Sequence, residues 1–245
     1  MKERFARDGI IFPLRVLTDA EVERYGADIS RTMAECGSDR RLDQLHLFFQ
    51  WAREIATHRV IVDTVREILG DDVLVWGSLM LSKPPHDASF VAWHQDGHYA
   101  DFLGDAPSLS AWIALTSSTV SSGCMRVVPG SHKTKLAHAV TAEPLNLLSH
   151  GQEIAAEVDD NDAVDVVLRP GEMSLHHVDI VHGSNANHSS APRTGFIVRY
   201  TTPAILRSRA PLLVAHGRGD ATHVPLVSMP PPADFESSVA AYRAR

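Results

Sequence analysis

The stretch VAWHQDGH, residues 91–98, is the most specific pattern in the chain. His94 and Asp96 stand two positions apart, and in a β-strand the side chains at i and i+2 project from the same face. An imidazole beside a carboxylate makes two of the three ligands of a 2-His-1-carboxylate metal site, which leaves coordination positions open. The stretch therefore predicts a metal site on a strand, and a second histidine must come from elsewhere.

The sequence around this stretch favours many short strands. From Val73 onward, runs rich in strand formers alternate with turn clusters of Gly, Pro and Ser. Such spacing is typical of a sandwich or barrel and not of a parallel α/β sheet. We therefore expect a mainly β chain with flanking α-helices and a double-stranded β-helix (jelly-roll) core. The predicted strands cover residues 73–81, 89–94, 109–116, 125–128, 164–168, 173–177 and 196–201.

The first third of the chain is expected to be mainly helical. Thr18 and Glu21 form a capping-box pattern, and Gly37 is a suitable stop for the helix that follows. Two further helices are predicted at 45–56 and 60–69. Residues 1–245 are then one domain, in which helices (about 1–72) precede the core (about 73–205) and a tail (206–245). The block 133–162 has few strand signals and is expected to be an insertion or a closing lid.

Composition restricts the possible partners. The net charge of −7 argues against non-specific nucleic-acid binding, which needs clustered Lys and Arg. Cys36 and Cys124 belong to no C-x-x-C pair, so a disulfide scaffold or a cysteine-based zinc site is not expected. No signal peptide or membrane-spanning run is visible, and we expect a cytoplasmic enzyme that acts on a small molecule. The oligomeric state is left open.

The second histidine is expected in the segment 169–185. His182 is followed by Gly183-Ser184-Asn185, which allows the backbone to turn close to a metal. His176 and His177 are adjacent, so at most one of them faces the same side of a strand as the site. His177 is the alternative ligand to His182.

Several motifs in order make the chain resemble one family. They are His94-Gln95-Asp96, the run GCMRVVPGSH at 123–132, Pro-Gly-Glu at 170–172, His182-Gly-Ser-Asn and Arg193. Together they resemble the phytanoyl-CoA dioxygenase (PhyH-like) family of Fe(II)- and 2-oxoglutarate-dependent oxygenases. The resemblance covers roughly residues 73–203.

The resemblance implies roles for individual residues. It makes His94, Asp96 and His182 the iron ligands, and Arg193 the anchor for the far carboxylate of 2-oxoglutarate, with O2 as the oxidant. This agrees with the preference of Fe(II) for imidazole and carboxylate and with the fit of a guanidinium to a carboxylate. Ser184 is expected to assist Arg193, and the residues expected to line the co-substrate pocket are Trp112 and Thr116.

The substrate side is less determined. His98 and Tyr99 either contact the substrate or are loop residues near the mouth. Arg126 is either a substrate-side charge or a salt-bridged surface group. Halogenases that resemble the family have Ala or Gly in place of the carboxylate, so Asp96 favours hydroxylation of a small polar metabolite or natural-product intermediate. Two other classes stay open: a cupin-like metalloprotein that does not use 2-oxoglutarate, and a catalytically silent ligand-binding member.

Overall fold

Two antiparallel β-sheets lie face to face in the computed structural model, which describes residues 1–38, 40–141, 143–148, 152–208 and 210–245. The helices are α1 (Lys2–Asp8), α2 (Asp19–Cys36), α3 (Gln50–Ala56), α4 (Arg59–Leu69) and α5 (Phe235–Arg243). The strands are β1 (Ile10–Arg15), β2 (Arg41–Asp43), β3 (Val73–Lys83), β4 (Val91–His94), β5 (Ser108–Ala114), β6 (Met125–Val127), β7 (His138–Val140), β8 (Gln152–Ile154), β9 (Val164–Val166), β10 (Glu172–His177), β11 (His182–Ser184), β12 (Arg193–Thr201) and β13 (Leu213–His216).

The order of the strands shows how the chain crosses between the layers. The larger sheet has the order β1-β10-β5-β12-β3-β13, and β2 also pairs with β3. The smaller sheet has the order β4-β11-β6-β9, and β7 pairs with β8 in a separate hairpin. From β3 to β6, and again from β9 to β12, successive strands alternate between the two sheets, which confirms the predicted jelly-roll core.

The larger sheet is buried on both faces. On its inner face, Leu79, Trp112 and Ile197 pack against Met125 and Val127 of the smaller sheet. Its outer face packs on the helices, where each fully buried aliphatic or aromatic side chain contributes roughly 1.5–3 kcal/mol. Burial on two sides explains why the central strand β12 carries the apolar run 195–198 between its two arginines.

The helices largely follow the sequence signals. Thr18 caps α2 through a complete capping box with Glu21, and Gly37 ends it in the left-handed region at φ 69°. The segment 45–56 is divided, because Phe49 is extended and buried between a 3-10 turn and α3. Gly70 follows α4 as predicted. Among the described residues, no helix is long and apolar enough to cross a membrane.

The prediction missed three strands of the larger sheet. β1 and β2 lie in the part expected to be helical, and β13 lies in the expected tail. β1 and β13 are edge strands. β1 contains Pro13, and proline is tolerated in an edge strand but disfavoured in a central one. Short edge strands carry weak periodicity, which is why the sequence pattern did not reveal them.

Candidate metal centre

His94 and Asp96 come together at the end of a strand and not along it. β4 ends at His94, and Asp96 begins the 3-10 turn Asp96–Tyr99. The expectation that both side chains share one strand face is therefore wrong in its geometry. The turn nevertheless places Asp96 Oδ1 3.6 Å from His94 Nε2, with both side chains buried.

His182 completes the group from the neighbouring strand. β11 pairs with β4, and the register sets His182 opposite His94, with ring centroids 4.0 Å apart. One ligand atom from each of His94, Asp96 and His182 lies within 4.8 Å of the others. In the described part of the chain, these three residues form a group that could hold a metal ion. The three side chains therefore converge on a space suited to one metal ion.

Backbone carbonyls fix both imidazole rings. His94 Nδ1 contacts the Ala92 carbonyl at 2.9 Å, and His182 Nδ1 contacts the Ile180 carbonyl at 3.0 Å. A ring nitrogen beside a carbonyl acts as the donor, so Nε2 of each ring keeps its lone pair for a metal. Burial, and then the charge of His94, lowers the pKa of His182 well below its usual range, which favours the neutral form that binds metals.

Arg199 and Ser110 hold the carboxylate of Asp96. Arg199 Nη2 donates to Oδ1 at 3.3 Å, and Nε donates to Oδ2 at 3.4 Å. Ser110 Oγ donates to Oδ2 at 3.4 Å. Burial alone raises the pKa of Asp96, but the charge of Arg199 and the electrostatic effect of the nearby His94 and His182 rings outweigh it, so this pKa lies well below its usual value. Asp96 is thus an ionised, oriented carboxylate.

The three side chains open into a cavity of ≈ 200 Å³ between the sheets. Arg193 lines it and is 1% exposed. Its Nε donates to Ser118 Oγ at 3.4 Å, whereas its Nη1 has no hydrogen-bond partner among the described residues. Burial lowers the pKa of Arg193 to about 10, so the guanidinium is charged at neutral pH. A buried guanidinium whose Nη1 has no partner among the described residues fits an incoming carboxylate, as a 2-oxoacid would supply.

Trp112 is the platform for this guanidinium. The Arg193 Cζ atom lies 4.5 Å from the centroid of the Trp112 ring. The indole occupies the space left by the missing side chain of Gly195 on the neighbouring strand, where a Cβ would overlap the ring. Cation–π contact in a buried site stabilises the charge by roughly 2 kcal/mol and fixes its position.

Gly195→Ala is therefore expected to lower the free energy of unfolding by about 1–3 kcal/mol, because the new methyl group must displace Trp112. Urea unfolding monitored by tryptophan fluorescence measures this. Gly26→Ala is the matched control, since nothing lies within 4 Å of a Cβ there, and it should not destabilise the protein. Equal stability of Gly195→Ala and the wild type would show that the indole is not held against this glycine.

The remaining predicted residues divide between the cavity and its surroundings. Ser184 and Tyr99 line the cavity. Thr116 does not line it: β5 ends at Ala114, and the Thr116 hydroxyl accepts a hydrogen bond from the Thr194 backbone at 2.7 Å. The prediction for Thr116 is thus corrected, because its side chain secures the start of β12.

His98 and Arg126 also lie outside the cavity lining. His98 stacks on His138, with ring centroids 4.1 Å apart. Arg126 pairs with Asp160 at 3.0 Å and Asp165 at 3.3 Å. Of the two readings of Arg126, the salt-bridged one describes its position, and a substrate contact of either residue stays a prediction.

The adjacent histidines of β10 point to opposite faces, as predicted. His176 lines the cavity, and burial lowers its pKa to about 4. His177 faces away from the cavity and packs against Phe5 and His132, with ring centroids 6.1 and 5.0 Å from its own. His177 is therefore not placed to be the alternative ligand.

Several cavity residues were not predicted from the sequence. Arg199 is six positions after Arg193 on the same strand, and this even spacing places both on one face. That spacing was the available signal. Trp76, Leu147 and Leu148 carry no comparable signal, because they reach the cavity through strand pairing and through the connection that follows β7. Gly183 lies within β11 and not in a turn. A Cβ at this position would lie only 2.8 Å from the Val91 carbonyl oxygen.

Comparisons with known proteins agree on one family. A family model for phytanoyl-CoA dioxygenase (PhyH) matches residues 5–195. A probable alpha-ketoglutarate-dependent hypophosphite dioxygenase of Stutzerimonas stutzeri is 31% identical over 164 residues, which cover 66% of this chain and 56% of that protein. The chain thus spans only about half the length of that relative.

Solved structures extend the likeness to the whole chain. The apo structure of ThoJ, a non-heme monooxygenase, is 32% identical with a TM-score of 0.82, over 99% of this chain and 93% of that one. The epimerase SnoN, solved with Fe3+, alpha ketoglutarate and nogalamycin RO, shares the fold at 23% identity and a TM-score of 0.67, over 96% and 94% of the two chains. The chain belongs to the phytanoyl-CoA dioxygenase (PhyH) family of iron- and 2-oxoglutarate-dependent oxygenases.

Proposed function

We propose that the protein hydroxylates an unactivated C–H bond of a small molecule, consuming O2 and 2-oxoglutarate and releasing succinate and CO2. The observation that carries this proposal is the position of Arg193. Its buried Nη1 lacks a partner among the described residues, and it lines the same cavity as the His94, Asp96 and His182 group. A metalloprotein that does not use 2-oxoglutarate has no need for a buried, unpaired cation at that place.

Each group has a defined role in this proposal. His94, Asp96 and His182 hold the iron, which when bound supplies the activation of O2. Arg193 binds the distal carboxylate of 2-oxoglutarate and, with Trp112 beneath it, fixes the orientation of the co-substrate. Arg199 and Ser110 keep the Asp96 carboxylate oriented. The apolar inner walls exclude bulk water from the reacting atoms.

The other side of the cavity is suited to a small substrate. Trp76, Tyr99, Leu147 and Leu148 line it, and the Trp76 Nε1 donor is buried with no partner among the described residues. The volume of ≈ 200 Å³ is below the roughly 300–1,000 Å³ typical of drug-sized ligand pockets. A small molecule that carries a hydrogen-bond acceptor is therefore favoured over a bulky thioester.

The block 133–162 supplies Leu147 and Leu148, and we assign it the role of a lid over the substrate. Its residues 142 and 149–151 lie outside the described part of the chain. Arg41 Nη1 donates to the Leu147 carbonyl at 3.3 Å, which ties this block to β2. This contact supports the proposal that closure of the block shields the reaction from water.

The test is an anaerobic titration of metal-free protein with Fe(II) and then 2-oxoglutarate, followed by O2 and candidate substrates. A weak visible metal-to-ligand charge-transfer band is expected on addition of 2-oxoglutarate. Succinate should then form together with a product that carries one atom of isotopically labelled O2. An epimerised, cyclised or desaturated product without the label would contradict hydroxylation. Bound iron without the band would favour a metalloprotein that does not use 2-oxoglutarate.

A further inference from the structure

Lys83 is a buried cation beside the co-substrate anchor. It is the last residue of β3 and is 0% exposed. The sheet register pairs it with Arg193 on β12, so two positive side chains start from directly opposed positions on neighbouring strands. Two adjacent buried cations without an anionic partner are unfavourable, because each loses its hydration and repels the other.

The surroundings of Lys83 do not neutralise this charge. In the described part of the chain, no carboxylate lies within ion-pair distance of Lys83 Nζ or of the Arg193 guanidinium. Asp87, in the loop after β3, pairs with Arg40 at 3.2 Å. Cys124, before β6, is a neutral thiol because burial raises its pKa to about 11. Lys83 and Arg193 therefore have no carboxylate partner among the described residues.

The hydrogen bonds of Lys83 connect it to the cavity. Its Nζ donates to Ser184 Oγ at 2.8 Å, to the Ser184 carbonyl at 3.4 Å and to the Asn185 carbonyl. An ammonium group has three donors and no acceptor, so these three bonds use its full capacity. Ser184 Oγ accepts from Lys83, so its own hydrogen must point elsewhere, and Ser184 lines the cavity.

Loss of the proton from Lys83 would reverse this arrangement. A neutral amine has a lone pair that accepts a hydrogen bond, and the Ser184 hydroxyl is the donor within reach. The hydroxyl hydrogen would then turn away from the cavity. Burial, and then the charge of Arg193, lowers the pKa of Lys83 to about 7, so both forms exist near neutral pH.

We propose that Lys83 is a positioning residue: its ammonium turns the Ser184 hydroxyl toward the distal carboxylate of 2-oxoglutarate, so that co-substrate binding is coupled to protonation of Lys83. This inference rests on the proposed function. The carboxylate of the co-substrate favours the ammonium form, so the pKa of Lys83 rises on binding and a proton is taken up. Affinity for 2-oxoglutarate is therefore full below the pKa of free Lys83 and decreases as the pH rises above it.

The experiment is an anaerobic titration of the Fe(II)-loaded protein with 2-oxoglutarate, followed by the visible band, at about pH 6.5 and at about pH 8.5. The Kd of the wild type is expected to rise on the order of tenfold over this range. Lys83→Met should bind weakly at both pH values and match the wild type at the higher one. Lys2→Met is the control, because it removes an exposed lysine, and it should keep the wild-type profile. Calorimetry of the wild type in two buffers with different ionisation enthalpies should show proton uptake, and this measurement needs no variant.

A double-mutant cycle tests the route through Ser184. If Lys83 acts by orienting the hydroxyl, Lys83→Met should have a much smaller effect on the Kd in a Ser184→Ala background. An equal effect in both backgrounds would overturn the positioning role. A wild type whose band forms with a pH profile equal to that of Lys83→Met, without proton uptake, would overturn the coupling and leave the proposed function intact. Bound iron without a band at either pH would overturn both.

Discussion

His182→Ala is expected to weaken metal binding by more than about 100-fold and to abolish 2-oxoglutarate turnover. The change removes one of three ligand atoms that lie within 4.8 Å of one another. Loss of a residue that only supports a metal ligand already costs 10–100-fold in affinity, so loss of a ligand should cost more. Elemental analysis of the purified protein and an anaerobic Fe(II) titration measure the effect.

His177→Ala is the matched control for this substitution. His177 lies five residues before His182 and was the alternative ligand in the sequence, yet it faces away from the cavity. The variant should bind iron with the affinity of the wild type. Stoichiometric iron in His182→Ala, or its loss in His177→Ala, would show that the ligands are assigned incorrectly. Thermal unfolding of both variants without metal establishes that each one is folded.

The parts of the site that the sequence revealed are those encoded by local spacing. His94 and Asp96 are two residues apart, and His182 is marked by the Gly-Ser that follows it. These positions could be found from the spacing alone. The expected geometry was wrong, because the strand ends at His94 and Asp96 lies in the 3-10 turn that follows. The jelly roll followed in the same way, since short strands and turn clusters alternate visibly from Val73 onward.

The parts that the sequence did not reveal depend on register between distant strands. Arg199 and His176 flank Ser110 because β12 and β10 both pair with β5, and no local pattern encodes that alignment. The pairing of Lys83 with Arg193 joins residues more than a hundred positions apart in the same way. Thr116 shows the opposite error, a residue predicted at the cavity that does not line it. The strand β5 ends two residues earlier than expected, so the Thr116 side chain lies outside the cavity lining.

Arg193→Met is expected to reduce the affinity for 2-oxoglutarate strongly while iron binding is retained. The guanidinium is 1% exposed and lies 4.5 Å from the centroid of the Trp112 ring, with Nη1 directed to no partner in the described residues. Removal of one partner of a buried charge pair costs about 2–5 kcal/mol. At 1.4 kcal/mol per tenfold this corresponds to a rise in Kd of roughly 30-fold to several thousand-fold. The visible band of the Fe(II) protein on titration with 2-oxoglutarate reports the change.

The stability of Arg193→Met distinguishes a binding residue from a structural one. Without an anion, Arg193 is a buried cation whose carboxylate partner is missing from the described residues, so its replacement by an apolar side chain of similar length should leave the free energy of unfolding unchanged or raise it. Arg126→Met is the control: Arg126 pairs with Asp160 and Asp165 outside the cavity, so its loss should not change the Kd for 2-oxoglutarate. If Arg193→Met unfolds more easily and binds 2-oxoglutarate as the wild type does, the guanidinium supports the fold and the anchor lies elsewhere. Weak binding by a protein of equal or higher stability would leave co-substrate recognition as the reason for a buried arginine at this position.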